Sequence, residues 1–103
     1  MNNVQWIDTN LCDPPHKVTH PEKFYELLEL FLKYGWDNNH PPLLGYWFED
    51  KIQLISGSHR WAAANEAHIK IPILLYSYEF IKNIWGTEEW LQILKDVFDV
   101  NYV

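Results

Sequence analysis

The stretch Leu54-Ile55-Ser56-Gly57-Ser58-His59-Arg60-Trp61-Ala62-Ala63-Ala64 constrains this chain most, because it carries an apolar run through a small turn into an alanine-rich helix. A strand that enters a helix through a glycine turn presents the first N–H groups of that helix without internal partners, at the positive end of its dipole. An anion suits that position. Ser58 reads as the N-cap, Gly57 lets the backbone approach a ligand closely, and Arg60 in the first turn offers a planar fork for two phosphate oxygens. His59 beside it can donate a hydrogen bond or move a proton near neutral pH. The plainer reading of the same residues is an ordinary strand-to-helix corner with its cap.

The rest of the chain supplies elements around that corner. Val4 to Ile7 reads as a short first strand, ended by the turn formers Asp8-Thr9-Asn10 and Asp13-Pro14-Pro15. Pro21 suits a first helical turn after Thr19 or His20. From there to Tyr34, Phe24, Leu27, Leu28, Phe31 and Leu32 recur at three and four and predict a helix with one apolar face, which Gly35 ends. Asp37-Asn38-Asn39-His40-Pro41-Pro42 is a loop, with His40 a surface residue. Leu43 to Phe48 and Lys51 to Ile55 form a hairpin about Glu49-Asp50. The helix from Ser58 runs to about Ala67, with Trp61 over the core or the loop, and a strand follows over Ile69 to Tyr76, where Pro72 belongs near its start or on an edge. Thr87 caps a last helix, about 87–98, in which Trp90, Leu91, Leu94, Val97 and Phe98 share a face. Phe98, Val100 and Tyr102 alternate as a final short strand would.

Charge and composition restrict the partners. At 103 residues there is room for one modest core, rich in large rings since aromatics make up 17%. A formal charge of −6 disfavours direct DNA binding, whose affinity comes largely from Lys and Arg neutralising phosphates. The single cysteine, Cys12, excludes an intramolecular disulfide framework and a multi-cysteine zinc site. Two prolines separate it from His16, so it reads as a plain buried or surface thiol. No apolar run is long enough for a membrane span, and the N-terminus lacks the layout of a signal peptide, so the expected location is cytoplasmic. No metal site is expected from spacing, and oligomeric state is not encoded in any visible pattern.

Residues Ile55 to Ala64, followed by Ile69-Lys70-Ile71-Pro72-Ile73-Leu74, resemble the signature of the ParB/sulfiredoxin superfamily. That signature is a strand, a Gly-x-His-Arg or Gly-x-Arg-Arg turn, an Ala-rich helix, and a strand containing Ile-Pro. The likeness follows the layout of residues 4–78, rests mainly on 18–78, and is most specific at Gly57 to Arg60 and at Pro72. It implies an α+β fold, a mixed β-sheet with packed helices, as a single small domain over residues 1–103. In the sulfiredoxin branch the turn reads Gly-Gly-Cys-His-Arg and cradles nucleotide phosphates; here Ser58 stands at the reactive cysteine. His20-Pro21-Glu22-Lys23-Phe24 resembles that branch's Asp-Pro-x-Lys helix start, whose lysine faces the phosphates, which makes Lys23 a second candidate cation. Glu26 and Leu30 replace that branch's small hydroxyl residues near the nucleotide, so its purine or phosphate contacts do not simply carry over.

The superfamily includes CTP-hydrolysing DNA-segregation proteins, ATP-dependent sulfinic acid reductases, free-serine kinases and proteins described as nucleases, so the fold does not choose among them. A serine at position 58 argues against the sulfiredoxin reaction, and no helix-turn-helix module follows, which argues against centromere binding. The first expectation is a nucleotide site for ATP or CTP with Mg2+. Gly57, Ser58, His59, Arg60 and Lys23 would bind the phosphates, and His59 and Arg60 would act in any transfer or hydrolysis. Glu22, Glu26, Asp8 and Asp13 are equal candidates for general base. The alternative is a non-enzymatic interaction protein or inhibitor, for instance of a mobile element, whose acidic, Trp-rich surface binds another protein. A nuclease would need a basic surface and a carboxylate cluster that the sequence does not offer.

Overall fold

A computed structural model describes residues 4–97 of the chain, and side-chain environments to residue 93. The elements in order are β1 (Val4–Ile7), a single 3-10 turn (Thr9–Leu11), β2 (Cys12–Asp13), α1 (Pro21–Tyr34), β3 (Leu43–Phe48), β4 (Lys51–Leu54), α2 (Ser58–Ala67), β5 (Ile71–Tyr76), α3 (Tyr78–Ile84) and α4 (Glu88–Val97). The five strands make one mixed sheet in the order β1-β5-β3-β4-β2. β5 runs antiparallel to β1 and parallel to β3, whereas β4 is antiparallel to β3 and parallel to β2. This is the expected α+β architecture with a mixed sheet.

Alternation along β3 and β5 divides the core between the faces of the sheet. Leu43, Ile71, Ile73 and Leu75 point to one face, where they meet Leu27 and Phe31 of α1 and Ala63 and Ala64 of α2. Leu44 and Leu74 point to the other and meet Ile81, Ile84 and Trp90 of α3 and α4. Strands covered on both sides must be apolar at every position, which accounts for the unbroken runs Leu43-Leu44 and Ile71-Pro72-Ile73-Leu74-Leu75. The small side chains of Ala63 and Ala64 let α2 lie close against the sheet, where both are fully buried.

Several expectations are corrected in detail. Leu32 of α1 is 66% exposed, because Leu27 and Phe31 already fill the seam and a narrow stripe suffices on this short sheet. The strand expected from Ile69 begins at Ile71, and Pro72 lies near its start, as expected. It is the second residue of an inner strand, paired with Trp6 of the edge strand β1. The segment from Tyr78 holds two helices, not one. Ser77 caps α3 by accepting a hydrogen bond from Phe80 N at 3.1 Å, and Ile81 and Ile84 anchor it to the sheet. Thr87 caps α4 as expected, accepting from Trp90 N at 3.3 Å, but Leu91 is 53% exposed while Trp90 is buried. The alternating Phe98, Val100 and Tyr102, and Phe98 as the end of the last helix, lie outside the described residues. Among the described residues, no helix is long and apolar enough to cross a membrane.

Candidate functional site

The site begins where β4 hands the chain to α2. Gly57, not Ser58, is the N-cap: it adopts φ +83°, ψ +36°, in the left-handed region. A Cβ at position 57 would overlap Leu43 Cδ2, so glycine is required both by the backbone angle and by packing from the neighbouring strand. Ser58 becomes the first helical residue. Its hydroxyl is buried and accepts a hydrogen bond from His16 N at 3.2 Å, which ties the segment after β2 to the start of α2. The expected Ser58 side-chain cap is therefore absent, since the hydroxyl turns to another part of the chain.

Arg60 also departs from expectation. A fork offered to solvent would be exposed, yet Arg60 is 5% exposed, and Nη1 donates to Pro41 O at 2.7 Å. Its guanidinium carbon lies 5.9 Å from the centroid of Trp36, within cation–π reach. Arg60 thus holds the 36–42 loop to α2, and its charge acts within the protein as well. Together with burial, which is the larger effect, it holds His40 below the usual histidine range, while Asp37 pulls the other way.

His59 points to the start of α1. Its Nε2 accepts hydrogen bonds from Thr19 N at 3.2 Å and His20 N at 3.0 Å, a role that requires the neutral ring with its proton on Nδ1. His20 stacks on it with centroids 5.6 Å apart and an interplanar angle of 23°, and His16 meets it edge-on at 6.0 Å. Burial first, then the charges of Lys23, His20 and His16, push the His59 pKa down. Lys23, half-buried in the first turn of α1, is therefore a near neighbour of His59, and it also bears on His40. The N-termini of α1 and α2 converge here, and four nitrogen bases gather in a chain whose formal charge is −6.

The structure thus brings Lys23, His59, Ser58 and Gly57 together, while Arg60 serves the same corner from inside. His16 and His20 are the residues that sequence reasoning passed over. The signal that could have found them is their place just before Lys23: if that lysine faces the turn, the segment leading into its helix must as well. Of the candidate bases, Asp13 faces Lys51 Nζ at 3.5 Å, and Asp8, Glu22 and Glu26 are exposed. Trp61 is accounted for structurally, since its Nε1 donates to Thr9 O at 2.9 Å and its ring packs on the core. A cavity of about 470 Å³ lies at the other end of α1, lined by Leu30, Tyr34 and Trp36 with Asp37 and two asparagines. With no cation in its lining it is unsuited to phosphate.

No family model matches the chain, and no curated protein matches it. Solved structures do. Sulfiredoxin from Arabidopsis thaliana aligns with a TM-score of 0.59 at 17% identity, over 88% of this chain and 94% of that one. The C-terminally truncated chromosome-partitioning protein ParB from Caulobacter crescentus, complexed with CTP-gamma-S, gives 0.60 at 20% identity, over 91% and 63%. A free serine kinase mutant in complex with AMP gives 0.60 at 17% identity over 82% of this chain, which spans only 33% of the kinase. At such identities the likeness is one of fold, and the chain has the ParB/sulfiredoxin-like fold.

Proposed function

We propose that this chain, acting as one domain, binds a nucleotide, ATP or CTP, through its phosphates at the junction of α1 and α2. The observation that carries the reading is the convergence of two helix N-termini with Lys23, His16, His20 and His59 in an otherwise acidic protein. Helix N-termini and cations together attract polyphosphate, and a local cluster can do so against an unfavourable net charge. The complexes of similarly folded proteins with CTP-gamma-S and AMP support a nucleotide as the ligand class. Gly57 and Ser58 would contribute backbone donors, Lys23 and, once protonated, His59 would contact phosphate oxygens, and Arg60 would add charge while holding the loop at Pro41. Should turnover occur, His59 would act in phosphoryl transfer or hydrolysis, with Arg60 contributing its charge from inside the corner. Among the described residues no three His, Cys, Asp or Glu side chains are grouped to hold a metal, so Mg2+ would take its ligands mainly from the phosphates.

Calorimetric titration of ATP, CTP, GTP and ADP, with and without Mg2+, tests the reading on wild type and Lys23→Gln. Lys23 is the better target than Arg60, whose removal would disturb the core. Micromolar to millimolar binding that weakens at least tenfold in Lys23→Gln supports the site, and no binding to folded protein refutes it. The exposure of Trp6, Trp47, Phe48 and Trp85 favours a second reading, a cytoplasmic protein-binding module. That module would keep its partner in Lys23→Gln and lose it when these aromatics are replaced.

A further inference from the structure

We propose that neutral His59 is a built-in competitor for the anion site: it occupies the backbone donors leading into α1, and proton uptake by His59 releases them to an anion. The inference rests on the phosphate reading above and specifies how that site is regulated. His20 N belongs to the N-cap of the 14-residue helix α1 and Thr19 N to the residue just before it, at the helix's positive end, and His59 Nε2 accepts from both. Only the neutral imidazole has a lone pair there. Protonation would set an N–H against two N–H donors, so the ring must turn away and the donors must find another acceptor.

The groups that face His59 all oppose its charge when the site is empty. They are His16 and His20 from the segment before α1 and Lys23 from its first turn, while Arg60 on α2 turns to Pro41. A bound anion reverses the balance. It accepts from Thr19 N and His20 N in place of His59, and its negative charge stabilises the protonated form of His59. Binding therefore takes up protons, and affinity strengthens as pH falls. For one proton taken up the change is about tenfold per pH unit across the titration window.

The test is titration of sulfate, whose own charge does not change in this range, into the 15N-labelled protein between pH 5.5 and 8.0, with ATP as a second ligand. The expected result is tighter sulfate binding at low pH, accompanied by shifts of the Thr19 and His20 amides and protonation at His59 Nε2. His59→Ala, which removes the competitor, should bind more tightly than wild type at pH 8.0 and with a flatter pH dependence. His59→Gln supplies a non-titrating acceptor for the same donors, and should bind weakly at every pH. Sulfate binding that is indifferent to pH, or a His59→Gln profile equal to wild type, overturns the inference and leaves the phosphate reading intact. Failure of both sulfate and ATP to bind any of the three proteins at any pH overturns the reading itself.

Discussion

Replacing Gly57 by alanine separates two reasons for glycine at the head of α2. At φ +83° an L-residue costs about 1–2 kcal/mol from contact between Cβ and the backbone alone. The added methyl would also overlap Leu43 Cδ2 and lie 3.2 and 3.3 Å from its Cγ and Cδ1. Leu43 is fully buried in an inner strand and cannot withdraw, so overpacking adds about 1–3 kcal/mol. The total, about 2–5 kcal/mol, is a large share of the roughly 5–15 kcal/mol that holds a domain folded. Gly86 provides the control: it has φ +82° but nothing within 4 Å of a Cβ, so Gly86→Ala should cost only the backbone share. Urea unfolding followed by tryptophan fluorescence gives both values, provided the slope with denaturant is unchanged. If Gly57→Ala is no more destabilising than Gly86→Ala, the packing argument is wrong, and close approach of a ligand becomes the better explanation for the glycine.

Three further outcomes follow from the same structure. Arg60→Ala removes a charge-assisted bond to the Pro41 carbonyl and should cost about 1.5–3 kcal/mol in urea unfolding, before any effect on ligand binding; a change under 0.5 kcal/mol would mean that Arg60 does not hold the 36–42 loop. Cys12 is buried and its thiol is pushed up to about 12, mainly by burial and then by Asp13, so it should resist maleimide at pH 8 in the native protein and react once unfolded. Rapid native labelling would show that β2 opens. His40 and His59 are both held below the ordinary histidine value of 6.5. Unfolded, they take up protons near 6.5, and folded only at lower pH, so the unfolded state binds more protons in between. Their contribution is complete above about pH 7 and is lost as pH falls through 6.5 toward the folded values. The stability difference between wild type and His40→Gln/His59→Gln should accordingly shrink from pH 7.5 to 5.5, and a constant difference would refute the assignment.

The fold was readable wherever a local pattern had a single physical solution. The three-and-four spacing of Leu27 and Phe31, the hairpin about Glu49-Asp50 and the strand-turn-helix at Gly57 each admit one arrangement, and each appears. What escaped were elements held by distant partners. β2 is two residues long and exists because Cys12 and Asp13 find β4 across the sheet. α3 is short, and its apolar residues Ile81 and Ile84 matter only because Leu44 and Leu74 present a second sheet face to cover.

The candidate site divides in the same way. Its backbone was legible, because a glycine between a strand and an alanine-rich helix is a local statement. The direction of its side chains was not. Ser58, His59 and Arg60 are consecutive, yet they turn to His16, to Thr19 and His20, and to Pro41, through four hydrogen bonds spanning 42, 40, 39 and 19 residues. Ser58 and Arg60 are buried and would otherwise be covered without a partner, so the loops that return to α2 decide where they point. Net charge misleads for the same reason. A total of −6 averages over the whole chain, whereas Lys23, His16, His20 and His59 act on one another at a single junction. An anion at that junction would respond to the local field, so the pH dependence of anion binding tests the proposed site more directly than any property of the chain as a whole.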